Sequence, residues 1–232
     1  VGGQIKEEWE IHFATAREVF PALRPNVLGV HFADGSVVDW VLEREGDCSE
    51  SGRISVEQIL SKGLDEKLKL EERQGRLAWV GGKTYASDLK RRTYEVAKAI
   101  LALASEKDAN LAIEEINWVD KRHGGAEANR RFSLWNYSQL GSLIEWLGLE
   151  GSWPGGPIVT LRKVSDYLLR YTCPECGACR KAGEKALEAT TWREKNLLFC
   201  RKCGFEGEVS GEAQARLVAR LGSEKLSKLL SS

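Results

Sequence analysis

Methionine is absent from these 232 residues, and histidine (three), proline (five) and cysteine (six) are scarce. Each shortage excludes something. No apolar run comes near the ~18 residues that a membrane-spanning helix needs. The start carries no secretory signal, so the cytosol is the expected compartment. Only Cys48 lies outside the stretch 173–203, a clustering unlike the even scatter of a disulfide framework. Net charge is zero, 34 Lys and Arg against 34 Asp and Glu, so no whole-molecule field draws in a polyanion. Repeats and low-complexity tracts are absent, and the composition is that of a soluble globular chain. With Val1 first and no methionine, either the initiator has been removed or the chain is the tail of something longer.

What is present is led by two matching knuckles, Cys173-Pro-Glu-Cys176-Gly177 and Cys200-Arg-Lys-Cys203-Gly204. A Cys-x-x-Cys turn delivers two thiolates from one tight loop, and two such turns supply the tetrahedron that Zn2+ prefers. The glycine after each second cysteine lets the backbone turn sharply and aim amides at the sulfurs. The 23 residues between the pairs are enough for a short hairpin arm. Cys176-Gly-Ala-Cys179 is also a Cys-x-x-Cys, but the shared Cys-x-x-Cys-Gly form selects Cys173, Cys176, Cys200 and Cys203 and leaves Cys179 spare. Four cysteines leave no open coordination position, so this metal holds structure and does no chemistry.

Along the chain, Ile5–Phe20 reads as a helix with Ile5, Trp9, Phe13, Ala16 and Phe20 on one stripe, ended by Pro21 and Pro25. Strands are expected at 26–32 and 36–42 around an Ala33-Asp34-Gly35 turn. A polar loop is expected at 44–53, a helix over 54–72 and a third strand at 77–80. Then come a helix Ser87–Lys107, broken by Asp108-Ala-Asn110, and a strand Leu111–Ile116. A helix Phe132–Leu147 follows with Trp135 and Trp146 in its core, then a Gly/Pro loop, a strand Ile158–Val164 and a final helix Glu212–Leu230. The order is an α/β layout that matches a ribonuclease H-like mixed sheet flanked by helices, with the zinc ribbon inserted before the last helix. The expected organisation is an N-terminal helix and linker (1–25), the α/β domain (26–170), the ribbon (171–207) and a closing helix of the α/β domain (208–232).

Charge is not evenly spread. Between Leu161 and Cys203 there are ten Lys and Arg against five acids, a local basic surface in a neutral protein. An ordinary solvated face is the plain alternative.

From about Tyr85 onward the chain resembles the C-terminal half of the transposon-encoded TnpB proteins and their descendants, the type V CRISPR effectors. Four stretches carry the resemblance: the helix 87–107, the strand Leu111-Ala-Ile-Glu-Glu-Ile-Asn117, the aromatic helix around Trp135 and Trp146, and the knuckles ending in Cys203-Gly-Phe-Glu206. The resemblance implies a RuvC-like nuclease domain interrupted by a zinc-binding, target-nucleic-acid-binding loop. It implies guide RNA and target DNA as partners, and a prokaryotic, nucleoid-associated setting. It places the family's catalytic glutamate on Glu114.

Such enzymes cut phosphodiesters with two Mg2+ ions held by several carboxylates. The family puts an aspartate on the first strand and another at the start of the last helix. Here those positions hold His31, in Leu28-Gly29-Val30-His31, and Ser210, in Glu208-Val-Ser210-Gly-Glu212. A lone Glu114 with imidazole and hydroxyl makes a poor Mg2+ site. His31 then reads as a satisfied core histidine and Glu114 as a remnant. The expectation is RNA-guided DNA binding without cleavage, acting by blocking transcription or recruiting a partner. Arg162, Lys163, Arg180, Lys181, Arg193, Arg201 and Lys202 are the expected phosphate contacts, with Trp192 for base stacking. One alternative is an active metal-dependent RNA-guided endonuclease using Glu115, Glu208 or Glu212 as replacement acids. The other is a zinc-ribbon scaffold for proteins. The family's guide-binding and recognition lobes precede the nuclease domain, and about 25 residues are too few for them. The chain is therefore expected to be a fragment, a reduced relative, or a subunit needing a companion.

Overall fold

The structure, a computed structural model, describes residues 23–32, 37–44, 47–55, 82–115, 137–150, 153–180, 189–194 and 197–231. The helix expected over 5–20, the Asp34 turn, the strand at 77–80, Trp135 and Lys181 lie outside the described residues. Five strands, β1 (Asn26–Phe32), β2 (Val37–Arg44), β3 (Asp47–Ser55), β4 (Ala109–Glu115) and β5 (Thr160–Ser165), form one sheet in the order β3-β2-β1-β4-β5. The first three strands run antiparallel, whereas β1, β4 and β5 are parallel. Helices α1 (Gly82–Glu106) and α2 (Tyr137–Glu150) lead into β4 and β5 as crossovers. The short helix α3 (Asp166–Tyr171) follows β5. Strands β6 (Thr191–Glu194), β7 (Leu197–Cys200) and β8 (Glu206–Glu208) make a separate small sheet, and helix α4 (Gly211–Leu230) comes last.

Strands β1 and β4 are largely apolar because both faces are covered. In β1, Leu28, Val30 and Phe32 join the layer of α1 and α2, packing with Val96, Ile100, Leu101, Leu140 and Ile144. The alternate residues of β1 and β4, among them Val27 and Ala112, join the layer of α4, with Leu217, Val218 and Leu226. Helix α4 lies unusually close. A Cβ on Gly29 would fall 2.3 Å from the Ala219 amide nitrogen and 2.4 Å from the Ala215 carbonyl oxygen. A strand glycine opposite two helix alanines lets the two backbones touch. No described helix is long and apolar enough to cross a membrane.

Two expectations are corrected. Residues 44–53 are not a loop: 47–55 is the edge strand β3, hydrogen-bonded to β2 from Val37↔Ser55 to Arg44↔Asp47. This also removes Ile54 and Ser55 from the helix expected over 54–72. Trp146 is not helix core but 53% exposed. The core face of α2 is Leu140, Ile144 and Leu147, and at 100° per residue Trp146 points away from that stripe.

Candidate functional site

The four knuckle cysteines converge. Their Sγ atoms all lie within 4.8 Å of one another, with Cys173–Cys203 at 3.5 Å and Cys176–Cys200 at 3.6 Å. Disulfide sulfurs sit ~2.05 Å apart, so these are not disulfides. A tetrahedral zinc with bonds of about 2.3 Å has sulfur–sulfur edges of about 3.8 Å, and the cluster fits that figure. The two turns are copies of each other. Cys173 N–H donates to Ala178 O (2.8 Å) and Gly177 N–H to Cys173 O (3.0 Å), while Cys200 N–H donates to Phe205 O (2.8 Å) and Gly204 N–H to Cys200 O (3.0 Å). Both glycines have left-handed φ, +69° and +78°, which a side chain would strain. Burial pushes the Cys173 thiol up to about 12, against amide hydrogen bonds from Cys176 and Glu175 that favour the thiolate. Burial also raises Cys176, but the Ala178 amide and the neighbouring thiols outweigh it and bring that group down to about 7. Cys179 stands outside the cluster, its Sγ 3.4 Å from the Arg180 carbonyl.

The second constellation runs across the main sheet on the face that α4 covers. Asp39 is the cross-strand partner of both Arg53 on β3 and His31 on β1. Val30 partners Ile113 on β4, so His31 and Glu114 come next in that pairing. Side chains opposite one another share a face, and the four form a transverse polar row. His31 Nδ1 lies 2.7 Å from Glu114 Oε2, in an alignment that falls short of a hydrogen bond. The Phe32 amide donates to the same oxygen at 3.1 Å. Arg53 Nε donates to Asp39 Oδ1 at 2.8 Å. His31, Asp39 and Glu114 are each buried to 93% or more (7%, 3% and 4% exposed).

Helix α4 closes this row from above. Ser210 is its N-cap, the hydroxyl accepting from the Ala213 amide at 3.1 Å. A Cβ on Gly211 would strike Asp39 Oδ2 at 1.8 Å, so the first turn of α4 rests on that carboxylate. Asp39 was missed in the sequence; it is the acid nearest the row's centre, and it is committed to Arg53. Glu115 and Glu208 are exposed, and Glu212 pairs with Arg216 at 3.2 Å. Among the described residues, the four cysteines are the one set of three or more His, Cys, Asp or Glu side chains close enough to share an ion.

The expected phosphate contacts do not form one patch. Arg162 reaches the Leu221 carbonyl on α4 (3.5 Å), whereas Lys163, on the opposite face of β5, pairs with Glu145 on α2 (2.8 Å). The ribbon does group several. Trp192 stacks on Phe199 at 5.1 Å, the Arg201 guanidinium lies 5.1 Å from the Trp192 ring, and Arg180 lies over Tyr171 at 5.3 Å. Arg193 is half-buried on the same strand as Trp192, and Lys202 is exposed at the tip of the second knuckle.

No family model and no curated protein matches the chain. The solved structures similar to it include Cas12f chains. A chain of a Cas12f1–sgRNA–target DNA complex is matched over 85% of this chain and 50% of that one, at 19% identity and a TM-score of 0.49. A chain of a CRISPR-Cas12f ternary complex is matched over 88% and 40%, at 14% identity and the same TM-score. This chain thus spans half or less of the length of each.

Proposed function

We propose that this chain is the RuvC-like and zinc-ribbon part of a TnpB-like or type V CRISPR effector-like protein. It holds guide RNA paired to target DNA without cutting, in the cytosol beside the nucleoid. Its output is steric: transcription is blocked, or a partner is recruited. The observation that carries this is the filled polar row. Where a two-metal nuclease needs open, convergent carboxylates, this chain sets His31 against Glu114, ties Asp39 to Arg53, and spends Ser210 on capping α4. The strand order β3-β2-β1-β4-β5 with α4 over it supports the ribonuclease H-like assignment. Zinc fits the cysteine cluster and would fix the ribbon, holding Trp192 and Arg201 on a rigid arm.

The test is binding of an RNA–DNA heteroduplex by the zinc-loaded chain across a salt series. With about four to six phosphate contacts, affinity falls by on the order of 10^2 to 10^3 between 50 and 200 mM salt, and the DNA strand stays intact in Mg2+ or Mn2+. A flat salt response points to a protein scaffold. Cleavage abolished by Glu114→Ala points to an active nuclease.

A further inference from the structure

On the face of the sheet opposite α4, helices α1 and α2 run parallel, because each leads into one of the parallel strands β4 and β5. Between them lies an open groove of about 540 Å3, within the ~300–1,000 Å3 of clefts that hold a ligand. Its two walls differ. The α1 wall presents Lys90, Arg91 and Tyr94, and the α2 wall presents Leu143 and Trp146. One turn further along each helix, Lys98 and Leu149 continue the pattern. Lys98 Nζ sits 5.5 Å from the centre of the Tyr94 ring. Trp146 is 53% exposed, Leu149 42% and Tyr94 37%. A contiguous apolar strip rimmed by polar groups marks an interaction site. The described residues that line the groove include no Asp or Glu. Glu145, next to Trp146, is turned to Lys163 on β5, and Glu95 lies farther round α1 than Arg91.

We propose that this groove docks a helix of another protein. The guest is an amphipathic helix whose apolar stripe lies between Tyr94 and Trp146 and whose flank facing α1 is acidic. This goes beyond the nucleic-acid reading and does not depend on it. Shape selects a helix: two parallel helices offer ridges between which a third can lie. Such a guest places apolar anchors at i, i+3 or i+4, and i+7. Charge selects its sign and its handedness of approach. Lys90 and Lys98 are exposed and stand two turns apart on α1, ~12 Å. Two acids two turns apart on one flank of the guest meet both ammonium groups.

The same observations disfavour two other occupants. A two-fold dimer through this face pairs the patch with itself, and the lining residues then bring Lys90, Arg91 and Lys98 no acid. A nucleic-acid strand needs cations along its backbone. The α2 wall offers none, its lining residues Gln139, Ser142, Leu143 and Trp146 being uncharged.

The test is selection on the full, zinc-loaded chain from a displayed library of amphipathic helical peptides. Their stripe is apolar and their flanks are randomised over Glu, Lys, Gln and Ser. Enriched peptides are expected to carry Glu two turns apart on one flank. For a synthetic copy of one of them, fluorescence polarisation should show affinity falling roughly tenfold or more in Trp146→Ser. Lys90→Glu/Lys98→Glu should cost roughly three- to tenfold, and exchanging the peptide's two Glu for Lys should restore it. All three side chains are exposed, and unchanged thermal unfolding checks that the variants keep their fold. No enrichment, selection of Lys-rich flanks, or binding that survives Trp146→Ser overturns the proposal. Cross-linking of a photoactivatable single-stranded DNA to Tyr94 or Trp146 also overturns it, in favour of nucleic acid. So does a dimer in sedimentation that Trp146→Ser dissolves, since the occupant is then a second copy.

Discussion

Replacing His31 by leucine tests whether the polar row is a finished structural device. Glu114 is buried with its side chain 1% exposed, and His31 Nδ1 sits 2.7 Å from it. His31→Leu removes the imidazole from beside that carboxylate, and losing one partner of a buried polar contact costs on the order of 1–3 kcal/mol. For a chain of 232 residues this lowers the melting temperature by roughly 2–12 °C. Glu114→Leu costs a similar amount, because it removes the oxygen that accepts from the Phe32 amide and that the imidazole faces. The double replacement removes the carboxylate and the imidazole together and leaves mainly the Phe32 amide to be satisfied. It should cost no more than either single change, a coupling on the order of 1–3 kcal/mol for contacting residues. Urea unfolding of the four proteins, followed by circular dichroism, measures this. Single effects that add to within about 0.5 kcal/mol would refute the pairing.

Three further outcomes follow. Gly29→Ala pushes a methyl into the backbone of α4 at Ala215 and Ala219, and unfolding should show a loss of about 1–3 kcal/mol. Metal analysis should find one zinc per chain, lost in Cys173→Ser and kept in Cys179→Ser, because Cys179 lies outside the cluster; the affinity should weaken on acidification as protons compete for the thiolates. Glu43 is buried and its pKa is raised by that burial, against a hydrogen bond from Ser223. The folded state therefore holds the proton more tightly than the unfolded chain, and stability should fall as pH rises from about 4.5 through the raised value. Glu43→Gln should remove that decline, as read by urea midpoints at several pH values.

The four-cysteine cluster was legible because its information is local: two four-residue turns, each followed by a glycine, carry it whole. The strand ending in Glu114 was legible for a related reason, since a strand buried on both faces must be a continuous apolar run. Strand β3 was not. Asp-Cys-Ser-Glu-Ser-Gly-Arg-Ile-Ser is an exposed edge with no buried face to impose alternation, and only its pairing with β2 makes it a strand. Missing β3 hid Asp39 as well. Within Val38-Asp39-Trp40 an acid looks like an ordinary outward residue, and its partner Arg53 belongs to the strand that read as a loop. Trp146 was misplaced because its apolarity was weighed above its helical phase. Ser210 was read only as standing where the resemblance expects an acid, and not as the cap it forms on α4.

Everything in the functional reading rests on whether the end of the sheet at Glu114 takes up catalytic cations. Titrating the zinc-loaded chain with Mn2+ and following free ion by electron paramagnetic resonance measures this directly. The expected result is no saturable Mn2+ site at millimolar ion and identical curves for wild type and Glu114→Gln. Two bound Mn2+ per chain in wild type, lost in Glu114→Gln, would contradict it.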